Sequence, residues 1–264
     1  MVEDLDFGII ERFYHISPRG AANPMIELPA SLLLDQDKVR EVLEKGAALV
    51  KATSLELPAS FIGSTFFYLC ATYIVFMAQE NRIPDLTLDN LTFQIEGHND
   101  HFHLGYKINR LEWKDVPDTG REAFVAKEFS RLIQDTVYPG VEAVAASAGV
   151  KSAMIWNQFA GQYTFLTKYL KANETREEVL VRLEQDCAVI LEQISADEFG
   201  RRRHPFVHKP RYIDSPYSPG EQIAIRSSCC MYYCKEDGVK CYSCPKLTAE
   251  AREEMRQEIL AKAR

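Results

Sequence analysis

One short segment near the end of the chain constrains the fold more than any other. Ser228 to Lys246 reads SCCMYYCKEDGVKCYSCPK and holds five of the chain's seven cysteines. Four of them form the pattern CCx10CxxC, and these are Cys229, Cys230, Cys241 and Cys244. Asp237 and Gly238, between the two halves, are a typical tight-turn pair. We therefore expect the segment to reverse direction there and to bring four thiols into one small volume.

A bound metal explains such a volume best. Four neighbouring thiolates repel one another and four thiols pack poorly, and a cation or a cluster resolves both problems. Disulfides are the alternative, but the acidic start MVEDLDFGIIERFY lacks the basic and apolar regions of a secretory signal. We therefore expect the chain to be cytoplasmic, where thiols stay reduced and a cysteine cluster more often binds metal.

The spacing alone leaves two kinds of metal group open. A tetrahedral zinc ion favours cysteine pairs with short spacers, and that set would be Cys230, Cys234, Cys241 and Cys244. An iron-sulfur cluster divides four ligands between two irons and so tolerates the adjacent Cys229 and Cys230. Cys234 is a ligand in the first case and an additional thiol in the second.

The cysteine motif also carries a family resemblance. CCx10CxxC near the C-terminus, with an arginine before it and aromatic residues after it (RSSCCMYY), resembles the motif of the FhuF-type ferric siderophore reductases. A helix with Trp156 and Asn157, followed by the HPF segment at 204–206, is similar to the same family's region before the cysteines. The resemblance covers about the last 110 residues, and the first half adds no motif to it.

The resemblance implies a cofactor and an activity. The cofactor is a 2Fe-2S cluster, and the residues that match the family's ligands are Cys229, Cys230, Cys241 and Cys244. The activity is that of an oxidoreductase, a one-electron, outer-sphere reduction of siderophore-bound Fe(III) to Fe(II) that releases iron in the cytoplasm. No catalytic residue beyond the cluster is implied. Arg226, Ser227 and Ser228 can donate hydrogen bonds to the sulfurs, or they simply lead into the turn.

Electrons must reach such a protein from outside. The sequence has no GxGxxG, no P-loop and no second cluster motif, so we expect an external donor such as a ferredoxin, a flavoprotein or an NAD(P)H-dependent reductase. Two other functions stay open. One is a non-enzymatic protein with structural zinc whose basic segment binds a partner, and the other is an iron-sulfur electron carrier or sensor without a siderophore substrate.

One basic segment is the candidate substrate-binding surface. Anionic ferric siderophores, the citrate-hydroxamate type among them, suit guanidinium groups, which bind carboxylates in bidentate fashion. The basic residues of this segment are Arg201, Arg202, Arg203, Lys209 and Arg211. A solvent-exposed run of charges or a contact with a membrane surface is the alternative.

Nucleic acid is not an expected partner, because the net charge of the chain is −7 and its pI is about 5.5.

The segment HNDHFH contains a second concentration of metal-binding side chains. Three imidazoles this close can bind a transition metal. The predicted hairpin, however, places His98 and His101 in its turn and His103 on the strand face opposite Phe102 and Leu104. We therefore expect these histidines to line a cleft rather than to bind a metal. Elsewhere, Cys70 and Cys187 lie in apolar helical patterns and are expected to be small buried hydrophobic residues.

The remaining patterns predict an α+β fold, with a mostly helical body, an antiparallel hairpin in the first half and a small C-terminal 2Fe-2S lobe ending in a helix. The expected division is a substrate-binding body over 1–215 and a cluster-binding lobe over 216–264.

The strands of the predicted hairpin begin at Leu91 and end at Ile108. Helices are expected at about 35–50, 122–136, 140–148, 151–170 and 177–192, and the last of these is expected to begin with a capping box of Thr175 and Glu178. A final helix, capped by Thr248, is expected to pack the lobe onto the body through Ala251, Met255, Ile259 and Ala263.

Phe61–Ala78 is eighteen residues without a charge, the lower limit for a membrane span. Its Ser and Thr residues and the absence of flanking basic anchors favour a buried core helix. Peripheral contact with a membrane stays open.

Overall fold

The fold is α+β and mostly helical. The computed structural model of the chain describes residues 6–99 and 101–262, and it has 54% of the chain in helices and about 15% in strands. The predicted fold class is therefore confirmed. The helices of the described part are α1 Gly8–Tyr14, α2 Gln36–Leu49, α3 Glu56–Glu80, α4 Arg121–Leu132, α5 Tyr138–Ala148, α6 Ala153–Asn173, α7 Glu177–Gln193 and α8 Ala249–Lys262.

The strands form one four-stranded sheet and two short ribbons. Their bounds are β1 Ile16–Ser17, β2 Pro24–Pro29, β3 Arg82–Pro84, β4 Leu91–His98, β5 His101–Ile108, β6 Trp113–Asp115, β7 Tyr212–Asp214 and β8 Gln222–Ala224. The sheet has the order β1-β5-β4-β2, in which β1 runs parallel to β5 and the other pairs are antiparallel. The ribbons are β3-β6 and β7-β8. The predicted hairpin is β4-β5, which is the centre of the sheet.

Helix α3 is the centre of the core. It is long and apolar enough to cross a membrane, but 89% of its most apolar window is buried by the rest of the protein. Two of its hydroxyl groups donate to carbonyls one turn earlier, Ser64 to Ser60 at 2.6 Å and Thr72 to Tyr68 at 2.7 Å, so these two add no unsatisfied polar group. The burial confirms the prediction of a core helix and fits a soluble protein.

Helices α2 and α4 to α7, which surround α3, are those that the periodicity predicts, whereas α1 is not predicted. One detail differs: α4 and α5 are joined by a π-helical segment, Ile133–Val137, instead of being separate.

The predicted capping box at the start of α7 is wrong. The N-cap position is Arg176 and makes no side-chain cap hydrogen bond. Instead, the carboxylate of Glu174 accepts from the backbone N–H groups of Thr175 and Arg176, each at 2.9 Å.

The C-terminal segment is fastened to the body at several points. The β7-β8 ribbon joins residues on both sides of the predicted boundary at 215/216, and Lys235 forms an isolated β-bridge with Ala52. Cys229, Cys234 and Cys244 share a buried apolar cluster with Leu57 of α3. The division into body and lobe stays a prediction.

Helix α8 forms as predicted, and its start is capped, since the Thr248 hydroxyl accepts from the N–H of Ala251 at 3.2 Å. Ala251, Met255 and Ile259 of the predicted stripe are half-buried, and the packing of the lobe onto the body through them stays a prediction. Ala263 lies outside the described residues. The helix is held by Arg252, which donates to the carbonyl oxygens of Tyr242 and Cys244.

Candidate metal centre

The four motif cysteines line one pocket. Its volume is about 290 Å³, and it is lined by Cys229, Cys230, Cys241 and Cys244 together with Phe61, Arg226, Tyr232 and Tyr233, among others. The predicted reversal is present: Asp237 has a positive φ of 57°, and the N–H of Gly238 donates to the carbonyl of Lys235 at 3.0 Å. Only glycine fits at 238, because a Cβ there would lie 2.5 Å from the carbonyl oxygen of Tyr232. We call this space the cysteine pocket.

The sulfurs lie in two pairs. The sulfurs of Cys229 and Cys244 are 3.6 Å apart, and two thiolates on one tetrahedral metal, at about 2.3 Å each, are separated by about 3.7 Å. The Arg226 side chain bridges the other pair, because it is hydrogen-bonded to both Cys230 and Cys241. In the described part of the chain, no three of these sulfurs lie within 4.8 Å of one another. The four sulfurs therefore line one pocket as two contacts rather than as one tight group.

Burial favours the protonated form of the Cys229 thiol. The pKa of Cys229 is raised to about 11. Burial is the main cause, the neighbouring Cys244 and Cys230 add to it, and the N–H of Met231 acts in the opposite direction. That N–H lies 3.4 Å from the Cys229 sulfur. Binding of a metal group would therefore release protons, as is usual for thiolate sites. Four convergent sulfurs with an adjacent cation fit a four-thiolate group.

Cys234 has a different environment. It does not line the cysteine pocket, and its thiol donates to Glu56 Oε2 at 3.3 Å. Burial and this carboxylate raise the pKa of Cys234 above its ordinary value. A thiolate at this position would face a negative charge, which disfavours the zinc set that includes Cys234.

Arg226 contacts the cysteines directly, whereas the two serines that follow it do not. Arg226 Nη1 donates to the sulfur of Cys230 at 3.3 Å. Burial lowers the pKa of this guanidinium, but Cys230 and Cys241 outweigh burial and the pKa is raised. Ser227 accepts from the N–H of Gly161 at 3.1 Å, and Ser228 donates to the carbonyl of Met154 at 3.2 Å. The serines therefore anchor the segment to the α6 region, and only Arg226 fulfils the expectation of a hydrogen bond to sulfur.

Helix α3 fixes the backbone of the motif. The hydroxyl of Ser60 donates to the carbonyl of Cys230 at 2.9 Å and accepts from Gln158 of α6 at 3.0 Å. Gly161 lets the cysteine segment approach, because a Cβ there would lie 2.9 Å from the Ser227 oxygen. The pocket is thus positioned by the two longest helices of the described part of the chain.

A larger pocket opens beside the cysteines. Its volume is about 530 Å³, and much of its wall is aromatic: Phe13, Tyr14, Phe61, Tyr68, Phe102 and Phe165. Arg226 and Cys230 line it as well as the cysteine pocket, and Phe61 belongs to both walls. We call this space the aromatic pocket. A molecule bound in it would contact both Cys230 and Arg226, the arginine that donates to the sulfur of Cys230.

The predicted basic segment forms a third pocket, of about 460 Å³. Arg201, Arg202 and Arg203 line it with Trp156 and Asn157, so the residues that carry the family resemblance before the cysteines meet here. Lys209 and Arg211 do not line it, although both are exposed. Ser227 belongs to this basic pocket and to the aromatic pocket. His204, in the same wall, has its Nε2 3.2 Å from the Ile190 carbonyl at the end of α7.

The three hairpin histidines come together, contrary to expectation. His98 and His101 are not in the turn, because they form the last cross-strand pair of β4 and β5. One ring nitrogen from each of His98, His101 and His103 lies within 4.8 Å of the other two. His15 stacks on His103 with ring centroids 4.0 Å apart. The pKa of His15 is lowered to about 4, mainly by burial and also by the neighbouring His103.

The two cysteines outside the C-terminal cysteine segment, Cys70 and Cys187, behave mainly as predicted. Cys70 is fully buried in α3, and burial raises its pKa. Cys187 is partly buried, and burial raises its pKa to about 11. Neither lines the pockets described above.

Two residues at the site carry no sequence signal. His15 and Phe61 line the aromatic pocket, but each is joined to the motif only through tertiary contacts. Phe61 lies at the start of an apolar run that predicts nothing more than a core helix. The sequence alone therefore predicts the cysteine pocket and not the space beside it.

No family model matches the chain, and no curated protein matches it.

Proposed function

We propose that this chain is a ferric siderophore reductase that acts in the cytoplasm. The observation that carries the proposal is that the four motif cysteines line one pocket, and that one of them, Cys230, together with Arg226, also lines the aromatic pocket next to it. A redox group in the cysteine pocket and a substrate in the aromatic pocket would therefore be separated only by the side chains that the two pockets share. Membership of the FhuF-type family is part of the proposal.

The chain's own residues would hold and tune the redox group. When bound by the four thiolates, a 2Fe-2S cluster supplies single electrons at a potential set by charge, hydrogen bonds and exposure. Arg226 places a positive charge against the sulfurs of Cys230 and Cys241, which offsets the negative charge of the thiolates. Phe61 and Tyr233 wall the pocket and would limit the access of water.

The substrate would occupy the aromatic pocket. A volume of about 530 Å³ lies within the range of small-molecule sites. The adjoining basic pocket, with its three arginines, would bind the anionic groups of a citrate-hydroxamate siderophore through guanidinium hydrogen bonds. Ser227 lies in the walls of both pockets, so one elongated ligand can contact both. Lys209 and Arg211 lie outside this pocket and would contribute only long-range attraction.

Release of the product would assist the reduction. Fe(II) is a softer ion than Fe(III) and is held more weakly by hard oxygen donors. Removal of the released Fe(II) offsets an unfavourable difference in reduction potential between the cluster and the ferric siderophore. For a one-electron transfer, a difference of 59 mV changes the equilibrium constant about tenfold. The electrons come from an external donor, such as a ferredoxin, a flavoprotein or an NAD(P)H-dependent reductase.

A single-turnover experiment tests the activity. The protein is reduced with dithionite without oxygen, freed of excess reductant and mixed with a ferric citrate-hydroxamate siderophore and a ferrous-specific chelator. We expect visible reoxidation of the protein together with formation of the ferrous chelate, and neither in the Cys230→Ser variant. A coloured, reducible protein that the siderophore does not reoxidise would instead be an electron carrier or sensor, and a colourless protein with one zinc would be a structural zinc protein.

A further inference from the structure

Three imidazoles meet at the end of the β4-β5 hairpin, outside the cysteine pocket. The strand register pairs His98 with His101 and Glu96 with His103, which places all four side chains on one face. One ring nitrogen from each of the three histidines lies within 4.8 Å of the other two, and His101 Nε2 is 3.1 Å from His103 Nε2. Two imidazole nitrogens bound to one tetrahedral ion lie about 3.3 Å apart. The observed spacing is therefore close to that of a metal site.

The surroundings hold the central ring in place. His103 is stacked between His15, at 4.0 Å, and His98, at 4.6 Å. Gly105 allows the approach of His15, because a Cβ there would lie 2.0 Å from the His15 carbonyl oxygen. The carboxylate of Glu96 is fixed by the N–H of Asn23 at 2.7 Å and places a negative charge on the same face. Outer contacts of this kind orient metal ligands and offset the charge of the ion.

The donor atoms define the class of ion. The set consists of three imidazoles, without a thiolate or a carboxylate among the ligand atoms. Imidazole suits divalent iron, cobalt, nickel, copper and zinc, whereas calcium and magnesium require oxygen donors. His98 and His101 are exposed, so solvent or another ligand can complete the coordination. A three-ligand site of this kind differs from a closed structural site because it keeps a coordination position open.

The position of the site connects it with the proposed chemistry. His15, which stacks on His103, lines the aromatic pocket together with Arg226 and Cys230. We propose that His98, His101 and His103 bind a divalent transition-metal ion and that, resting on the reductase function proposed above, this ion is the ferrous iron that leaves the siderophore. The step is a ligand exchange without a change of oxidation state. Fe(II) loses oxygen donors, which take up protons from water, and gains up to three imidazole nitrogens.

Titration with Co(II) alone tests the site without any redox reaction. The full-length protein is titrated with CoCl2 and followed by calorimetry and by visible absorption, because nitrogen-bound Co(II) gives weak d–d bands whereas thiolate-bound Co(II) adds intense near-ultraviolet bands. We expect one ion per chain with the nitrogen-type spectrum. The affinity should fall at least tenfold in His103→Ala and in the double variant His98→Ala/His101→Ala.

The matched control is His208→Ala, which removes another exposed imidazole outside the hairpin and should leave Co(II) binding unchanged. Thermal unfolding checks that each variant is folded. Equal affinity in the native protein and both hairpin variants would overturn the proposal, and so would a bound ion with only thiolate-type absorption. Anaerobic titration with Fe(II) should show the same order of affinities among the variants, and no detectable Fe(II) binding would overturn the assignment to ferrous iron.

The outcomes separate this proposal from the reductase function. Loss of Co(II) and Fe(II) binding in the hairpin variants, in a protein that does not reduce siderophores, would support the metal site and contradict the reductase. Reduction of the siderophore by a protein whose hairpin binds neither ion would do the opposite.

Discussion

The sulfurs of Cys230 and Cys234 are close in sequence and meet groups of opposite charge. Cys230 accepts a hydrogen bond from the guanidinium of Arg226 at 3.3 Å, whereas Cys234 donates to the carboxylate of Glu56 at 3.3 Å. The first arrangement stabilises a thiolate and the second stabilises a thiol. At the scale of single residues, this contrast supports Cys230 over Cys234 as a proposed metal ligand more clearly than the spacing of the cysteines does.

Serine replacements should therefore have unequal effects. Cys230→Ser removes a pocket-lining sulfur and is expected to abolish the visible absorbance and the bound iron. Cys234→Ser keeps a donor for Glu56 and should retain most of both. Iron content and the absorption spectrum of anaerobically purified variants measure this. Loss of the cluster in Cys234→Ser, with Cys230→Ser intact, would reverse the ligand assignment.

Arg226 should tune the reduction potential. Its positive charge next to Cys230 and Cys241 favours the more negative, reduced state of a bound cluster. We expect Arg226→Ala to lower the midpoint potential by about 30–60 mV, given that 59 mV corresponds to a tenfold change in a one-electron equilibrium. Arg226→Lys, which keeps the charge, should shift it less. A redox titration followed by paramagnetic resonance measures both variants, and an unchanged potential in Arg226→Ala would contradict the assigned role.

Among the helices and strands, periodicity predicts long elements well and short ones poorly. Helices α2 to α7 and the β4-β5 hairpin follow apolar patterns that extend over several turns or pairs. Before residue 35 no pattern predicts a helix or strand, yet α1, β1 and β2 lie there. Strand β1 has two residues, too few for a pattern, and it exists because β5 supplies its partner. The capping box fails at α7 because the carboxylate of Glu174 accepts from the N–H of Thr175, the group that Glu178 would bind in the box.

The contact between β1 and β5 depends on a glycine. A Cβ at Gly105 would lie 2.0 Å from the carbonyl oxygen of His15, which is backbone and cannot move aside easily. We expect Gly105→Ala to lower the free energy of unfolding by about 2–3 kcal/mol, as overpacked sites do. Gly97→Ala, in the same hairpin, would meet only the sulfur of Met25 at 3.2 Å and should cost less than about 1 kcal/mol, since that side chain is exposed. Urea denaturation measures both, and equal losses would contradict the argument.

On the scale of the whole molecule, three pockets adjoin one another along the cysteine segment. Arg226, Cys230 and Phe61 are shared by the cysteine and aromatic pockets, and Ser227 is shared by the aromatic and basic pockets. The sequence predicts the convergence of the cysteines because the turn that causes it is local. It does not predict the shared walls, because these depend on how Ser227 and Ser228 are held against Gly161 and Met154.

The basic pocket should determine how salt affects the reaction. Arg202→Glu/Arg203→Glu should raise the KM for an anionic siderophore and flatten its dependence on ionic strength. Lys209→Glu/Arg211→Glu makes the same change of net charge outside the pocket and should have a much smaller effect at 0.15 M salt, where charges beyond about 8 Å are screened. Steady-state kinetics over a salt series measures both. Equal effects of the two pairs would indicate long-range attraction without binding in the pocket.

The most direct test is the composition and spectrum of the bound group in anaerobically purified protein. We predict two irons and two acid-labile sulfides per chain, a red-brown colour that bleaches with dithionite, and a paramagnetic signal in the reduced state. Stoichiometric zinc with neither iron nor sulfide would contradict the proposed reductase.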